Sequence, residues 1–297
     1  MTDQDNNGST SRCGYVAIVG RPNVGKSTLL NHLVQQKISI TSRKPQTTRH
    51  RIVGIHSSAL AQCVFVDTPG LHGRRNKALN RIMNDTVYNV IAAVDVILMV
   101  CERLVWNEAD EQVLAALART SAPVLLLINK VDLVADKEQL LPHIGMLRDK
   151  YEFREIVPVS ALAPHNLDTV MALVTANLPI APFMFPQDQV TDRSSRFLAA
   201  EFVREKVTRQ LGDELPYEVS VAIEQFKVIN KVTHIDAVIL VEKPGQKKIL
   251  VGKGGERLKR IGTSAREDME NAFGTRVMLH LWVKIRSGWS DDERALQ

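Results

Sequence analysis

Gly20-Arg21-Pro22-Asn23-Val24-Gly25-Lys26-Ser27 fits the pattern G-x-x-x-x-G-K-[ST]. An apolar run, YVAIVG, leads into it, and the helix-patterned STLLNHLVQQ leads out. Such a loop is suited to hold a phosphate chain. Glycines let backbone N–H groups converge on phosphate oxygens, and the helix N-terminus adds partial positive charge. Lys26 would reach the β- and γ-phosphates, the Ser27 hydroxyl would ligate Mg²⁺, and Thr28 follows in the first helical turn.

Asp67-Thr68-Pro69-Gly70-Leu71 closes the run QCVFV, with Asp67 standing 40 residues after Ser27. An acid at the carboxyl end of a buried strand stands where open α/β sheets bind ligands. It would hold Mg²⁺ through water, and Gly70 can bring its N–H close to the γ-phosphate. Asn129-Lys130-Val131-Asp132 follows PVLLLI. A carboxylate such as Asp132 can accept from N1–H and N2–H₂ of guanine, a donor pair that adenine lacks. Asn129 would brace the loop, and Lys130 can lay its stem over the purine face. Ser160-Ala161-Leu162 ends the next apolar run, where a backbone N–H could bond guanine O6.

Positioning these groups requires alternating strands and helices. QCVFVDTPG, VDVILMVCE, PVLLLINKVD and IVPVSAL read as buried strands, and NEADEQVLAALART and NLDTVMALVTANL as helices. The alternation predicts a βαβ architecture with a mainly parallel sheet. It stops near Leu178, where LPIAPFMFPQDQVTD carries Pro179, Pro182 and Pro186 and reads as a linker. Beyond it the order is α-β-β-α-α-β. SSRFLAAEFVREKVTRQL is a helix capped by Ser194 or Ser195. YEVSVAIEQF, HIDAVILVEK and RVMLHLWVKI are strands, and Trp282 reads as core.

The last helical pair flanks Gly252-Lys253-Gly254-Gly255, a G-x-x-G turn of the kind that clamps single-stranded nucleic acid. Between Lys243 and Arg260 lie Lys243, Lys247, Lys248, Lys253, Arg257, Lys259 and Arg260 against Glu256 alone. Residues 183–297 together carry nineteen basic and seventeen acidic residues, so the positive charge is focused on this turn. Val251, Leu258 and Ile261 read as groove wall or core. Two further basic stretches, 43–51 and 74–81, read as solvated faces or RNA contacts.

Composition bounds the classes. A chain of 297 residues suggests two domains at ~100–200 residues each. Apolar residues at 44% and charged residues at 24% exclude disorder over most of the chain. A formal charge of +5 is compatible with an anionic partner. Cys13, Cys63 and Cys101 are scattered with no CxxC, which argues against zinc or a disulfide framework and fits a cytoplasmic protein. The polar first twelve residues do not read as a signal peptide. The apolar stretch from Val90 to Cys101 is broken by Asp95 and falls short of the ~20 residues of a membrane helix.

The order GRPNVGKS, TTR, DTPG, NKVD, SAL resembles the five motifs of translation-factor-like GTPases. Together with KPQTTRHRIVGI, GKGGERLKRIGTSAR and SGWSDDERAL, it resembles the TrmE-Era-EngA-like GTPase family carrying a C-terminal type II KH domain, over about residues 14–294. The resemblance implies a P-loop GTPase domain with a mainly parallel sheet, followed by a smaller α+β KH domain. The corresponding division is a disordered tail at 1–13, the GTPase domain at 14–180, a linker at 181–193 and the KH domain at 194–297. GTP and GDP are the implied nucleotides. Lys26, Thr48, Asp67 and Gly70 would be catalytic, with Thr48 (Thr47 as second choice) sensing the γ-phosphate as a Mg²⁺ ligand.

Leu71 stands where Ras-type enzymes place the glutamine that orients water, so slow intrinsic hydrolysis is expected. Asn23 resembles the K⁺ ligand of GTPases lacking that glutamine. Gly252, Lys253, Gly254, Gly255, Arg257, Lys259 and Arg260 would bind RNA. The implied partners are the 3′ end of 16S rRNA and the 30S ribosomal subunit, with peripheral contact at the inner membrane and a monomeric state. The competing readings are a membrane-associated cell-cycle signalling GTPase and an RNA-modification GTPase. The polar N-terminal tail is extra relative to the family, and the C-terminus is slightly short.

Overall fold

The structure is a computed structural model that describes residues 11–42, 51–68, 85, 87–118, 120–211 and 219–286. Thr47, Thr48, Pro69, Gly70, Leu71 and Trp289 lie outside the described residues, as do most of the two basic stretches flanking the expected switches. The chain divides into two compact units, residues 1–37 with 48–192, and residues 38–47 with 193–297.

The first unit is built on a six-stranded sheet. Its strands are β1 (Arg12–Val19), β2 (Ile52–Ser57), β3 (Ala61–Asp67), β4 (Val96–Glu102), β5 (Val124–Asn129) and β6 (Glu155–Pro158). They lie side by side in the order β2-β3-β1-β4-β5-β6. All pairs are parallel except β2 with β3. The central parallel strands are buried along nearly their whole length, as a sheet covered on both faces requires. Helices α1 (Lys26–Val34), α2 (Glu108–Leu117), α3 (Leu140–Arg148) and α4 (Leu167–Asn177) accompany the sheet. Asn107 starts α2 by accepting from the amides of Ala109 and Asp110, while Asp110 Oδ2 accepts from the Asn107 amide.

Two of these elements escape the sequence reading. β2 is a short edge strand interrupted by Gly54, and α3 carries Pro142 and Gly145. Pro142 falls in the first helical turn, where its missing N–H costs nothing.

Residues 179–191, nearly the whole of the stretch read from composition as a linker, are hydrogen-bonded along the first unit. Cys13 N–H donates to Pro179 O (3.1 Å), Ala181 N–H to Ser11 O (3.0 Å) and Ile55 N–H to Val190 O (2.9 Å). The fully buried Gln62 pins the middle of the stretch: its Oε1 accepts from the amides of Met184 (2.8 Å) and Phe185 (3.0 Å), and its Nε2 donates to Phe185 O (2.8 Å). Three prolines keep this stretch out of a helix, and edge amides and carbonyls of the sheet supply its partners.

The second unit contains α5 (Ser195–Gln210), β7 (Ser220–Ile229), β8 (Val232–Val241), α6 (Pro244–Val251), α7 (Glu256–Phe273) and β9 (Arg276–Ile285). This is the expected α-β-β-α-α-β order. β7 and β8 form an antiparallel hairpin turned by Asn230 and Lys231, both with positive φ, as a two-residue turn of matching twist requires. β9 runs parallel to β8, from Val232 opposite Arg276 to Val241 opposite Ile285. Ser194 caps α5 by accepting from Phe197 N–H (3.2 Å). Phe202, Ile235, Ile239, Ile261, Ala265 and Met269 are buried at the centre. Trp282, expected in the core, is only half-buried. Alternation along β9 turns it away from the buried Val277 and Val283, and the Lys284 ammonium lies 5.7 Å from its ring centroid.

The core of the second unit also holds a residue far away in sequence, the fully buried Ile40. Beside it, Glu205 accepts from the Thr41 amide (2.8 Å) and hydroxyl (3.1 Å), and Arg209 donates to Thr41 O (2.9 Å). Helix α5 accordingly buries charge, with Glu201 paired to Arg204 (2.6 Å) and Lys206 paired to Asp268. The chain that leaves α1 thus folds as part of the second unit. Ile40→Ala should cost that unit about 2–4 kcal/mol through the cavity it leaves. Hydrogen exchange of β8 amides checks this, and unchanged β8 protection would contradict the placement.

Candidate functional site

The parallel strands of the first unit deliver Gly20, Asp67, Glu102 and Asn129 to one edge of the sheet. Ile18 lies opposite Asp67, and Glu102 opposite Asn129. At Gly20 (φ 155°) an added Cβ would sit 2.4 Å from Val100 O, and at Gly25 (φ 103°) 2.4 Å from Asn129 Nδ2. Only glycine fits the loop's two hinges. Val24 is core, and its carbonyl accepts from Asn129 Nδ2 (2.7 Å). Pro22 is half-buried and Asn23 is exposed with φ 66°.

Lys26 heads α1 and is 7% exposed. Its ammonium donates to Gly20 O (2.9 Å) and Arg21 O (3.0 Å), curling the loop around a cation. Burial pulls its pKa down to about 8; Asp67 opposes the shift and Arg21 adds to it. The Ser27 hydroxyl donates to Asp67 Oδ2 (2.7 Å). Hydroxyl and carboxylate oxygens placed side by side at the phosphate loop are a donor set suited to Mg²⁺. Thr68 is fully buried, its hydroxyl donating to Ile18 O (2.9 Å), so it secures the end of β3. Thr28 is half-buried in the first turn of α1.

The loop Asn129-Lys130-Val131-Asp132 is fastened to the same edge. Asn129 Oδ1 accepts from Ala161 N–H (3.0 Å), so this one buried amide side chain joins the phosphate loop to the Ser160 loop. That amide of Ala161 is therefore engaged with Asn129. Ser160 Oγ donates to Asp132 Oδ1 (2.6 Å), orienting an exposed carboxylate. Val131 is buried, and its N–H donates to Val159 O (3.2 Å). Lys130, at φ 62°, sends Nζ to Asn23 O (2.8 Å) and Glu102 Oε1 (3.1 Å), and its stem crosses between the two loops.

Arg21 points elsewhere than its place in the phosphate loop suggests. Its guanidinium donates to Glu102 Oε2 (3.1 Å) and to the fully buried Asp110 Oδ2 (3.2 Å). Sequence reasoning missed both acids. For Glu102 a signal was present, a carboxylate ending the buried run VDVILMVCE; for Asp110, three residues after the cap Asn107, capping alone accounts for its type. The thiols are inert. Burial raises Cys63 to about 11, and burial with Asp110 raises Cys101 to about 12.

In the second unit, Gly252 (φ 73°), Gly254 (φ 60°) and Gly255 (φ 81°) turn the chain from α6 into α7. A Cβ on Gly252 would press on Arg257 Cβ at 2.9 Å. Lys253, Lys259 and Arg260 are exposed, as are Lys247 and Lys248. Arg257 is only half-exposed and donates to Ile249 O (2.6 Å), tying down the end of α6. Next to the turn, α7 and β9 bound a groove of about 390 Å³ lined by Gly255, Leu258, Lys259, Gly262, Leu279 and Leu281. Arg266 also lines it and is held by Glu270 (2.8 Å), which in turn accepts from Val277 N–H (3.0 Å). Of the three expected wall residues, Leu258 lines the groove, Ile261 is core and Val251 packs against the core. Gly262 and Arg266 continue the face of Leu258 and Lys259 at helical spacing, a signal that the sequence offered.

A family model described as "50S ribosome-binding GTPase" matches residues 15–130, and one described as "KH domain" matches residues 214–290. GTPase Era of Azotobacter vinelandii is 59% identical over 285 residues, 96% of this chain and 95% of that protein. GTPase Era of Pseudomonas fluorescens is 55% identical over 297 residues, 100% of this chain and 98% of that protein. Among solved structures, a point variant of Aquifex aeolicus Era bound to GDP.AlF4- aligns with TM-score 0.91 and 38% identity, covering 96% of this chain and 97% of that one. Era in complex with MgGDPNP and nucleotides 1506-1542 of 16S ribosomal RNA aligns with TM-score 0.91 and 37% identity, with the same coverage.

The lowered pKa of Lys26 makes a pH prediction for nucleotide binding. A bound phosphate favours the charged amine, so above about pH 8 the free protein must take up a proton on binding and affinity must fall. Titration of GDP binding should show a roughly tenfold loss between about pH 7 and pH 9. A flat profile would remove Lys26 from the phosphate contacts.

Proposed function

The chain belongs to the Era family of GTPases, and from that premise we propose a GTP-driven switch that grips the 3′ end of 16S rRNA and assists maturation of the 30S subunit. One observation carries the reading. The same chain that holds the Lys26 loop and Asp132 also presents a glycine turn ringed by exposed lysines beside a groove lined by both leucines and basic side chains. Bases of a single strand would enter the groove between α7 and β9, while Lys253, Lys259 and Arg260 take the phosphates. Arg257 would brace the turn from behind.

At the nucleotide, Lys26 neutralises the β- and γ-phosphates, and backbone N–H groups of the loop, Pro22 having none, surround them. Asp132, oriented by Ser160, takes the guanine edge, and Asn129 keeps the two loops in register. Ser27 and Asp67 would hold Mg²⁺, with Thr48 joining them when a γ-phosphate is present. Magnesium bound there would supply charge neutralisation for the phosphate chain. Thr48 and Gly70 would report the γ-phosphate through an order–disorder change of their loops. The segment entering the first of these loops, residues 38–42, folds with the second unit, which offers a covalent route from nucleotide state to RNA grip.

Leu71 cannot orient water, so the intrinsic rate is slow. Asn23, at the exposed bend of the phosphate loop, would add a K⁺ that offsets developing charge. Among the described residues no helix is long and apolar enough to cross a membrane. A cytoplasmic monomer with peripheral contact at the inner membrane fits this reading.

Filter binding of a 16S 3′-end oligoribonucleotide, with a GTP analogue and with GDP, tests the proposal directly. Gly254→Asp has open space for its side chain, and aspartate tolerates the left-handed backbone there, so the variant should fold. It should lose at least about tenfold in RNA affinity through the added negative charge while GDP binding is kept. Retained RNA affinity would refute the assignment of the turn. Replacing K⁺ by Na⁺ should slow GTP hydrolysis by about tenfold, the order of one lost charge contact. Equal rates in both salts would discard the role of Asn23.

A further inference from the structure

Glu102, which lies in none of the motifs, stands at the centre of an ion-paired cluster. It is the last residue of β4, and its side chain is 14% exposed. One carboxylate oxygen accepts from Arg21 Nη2 (3.1 Å). The other accepts from Lys130 Nζ (3.1 Å) and lies 3.4 Å from Arg103 Nη2. Burial would raise the Glu102 pKa, but Lys130, Arg21 and Arg103 outweigh it and hold the group below the usual carboxylate range, so it is an anion at neutral pH.

Two of the cations it holds belong to different loops of the nucleotide site. Arg21 is the second residue of the phosphate loop, and its carbonyl accepts from the Lys26 ammonium (3.0 Å). Lys130 belongs to the base-recognition loop and reaches forward to the carbonyl of Asn23 (2.8 Å). Lys130 adopts left-handed backbone, φ 62°, which a lysine keeps only when surrounding contacts impose it, and Asn23, whose carbonyl it holds, lies in the same region at φ 66°. The fully buried Asp110 accepts from Nε of the same guanidinium (3.2 Å), so two nitrogens of the side chain are held by carboxylates.

We infer that Glu102 is a positioning residue that locks the phosphate loop and the base-recognition loop into one nucleotide-holding geometry, acting through Lys130 and Arg21. It touches no nucleotide itself. Loss of the lock lets the loops part and speeds nucleotide release. The inference rests on the assignment of these loops to GTP and GDP.

The sign of the effect separates positioning from plain electrostatics. Neutralising an acid beside the phosphate loop would by itself tighten the hold on an anion. Faster release from Glu102→Gln therefore reports lost geometry. In stopped-flow release of a fluorescent GDP analogue, Glu102→Gln should accelerate dissociation by about tenfold, with a thermal midpoint close to that of the parent. In a Lys130→Met background, where the main link is already cut, the same change should add less than about threefold, the non-additivity expected of a shared path. Release unchanged or slowed in the single variant overturns the inference, and so does full additivity with Lys130→Met. Should Glu102→Gln fail to fold, Glu102→Asp keeps the charge but is one methylene too short to span both cations; it should still speed release, and parent-like release overturns the inference. A parent protein that binds no GDP would refute the nucleotide assignment itself, whereas binding by the parent with unaltered release from the Glu102 variants refutes only the lock.

Discussion

The first unit depends on a single buried amide side chain. Asn129 donates to the carbonyl of Val24 and accepts from the amide of Ala161, leaving both loops without freedom to drift. Gly25 is glycine partly because Asn129 Nδ2 occupies the place of its Cβ. A polar group with 1% exposure must have its hydrogen bonds made inside the protein, and a half-satisfied one would cost more than an apolar replacement. The same contacts that satisfy Asn129 therefore set the spacing between the loop at 20–25 and the loop at 160–161.

Charge is organised around that amide by the same logic. Lys26 is buried at a cost visible in its lowered pKa, and carbonyls of its own loop hold it in place ahead of any phosphate. Preorganisation of this kind spares the site reorganisation when an anion arrives. Arg21, Glu102, Asp110 and Lys130 form a second layer in which each charge has an opposite partner within 3.2 Å. Glu102 and Asp110 hold these cations in place without touching a ligand.

The second unit solves a different problem. The turn between α6 and α7 takes positive φ at Gly252, Gly254 and Gly255, hence three glycines in four residues. The lysines around it stay exposed, whereas Arg257 and Arg266 are drawn into structural bonds. Helix α5 shows the reverse case. Its Glu205 and Lys206 are buried by partners from elsewhere in the chain, so its own sequence pattern is a poor guide to its inward face.

The glycine-bearing loop at 20–27, Asp67 at the end of its strand, the loop at 129–132, the glycine turn and the order of elements in the second unit were legible in the sequence, because each depends on local chemistry. Backbone curvature at Gly20, Gly25 and Gly252, strand periodicity and helix starts are written in neighbouring residues. What the sequence left hidden is non-local. Glu102 could be seen as a strand-ending acid, but not that it would meet Arg21 and Lys130. The place of Ile40 and Thr41 in the second unit, the strapping of residues 179–191 by Gln62 and the outward face of Trp282 were likewise invisible. Pairings between groups tens to hundreds of residues apart are chosen by which side chains the packed sheet and helices bring together, and only the folded chain carries that information.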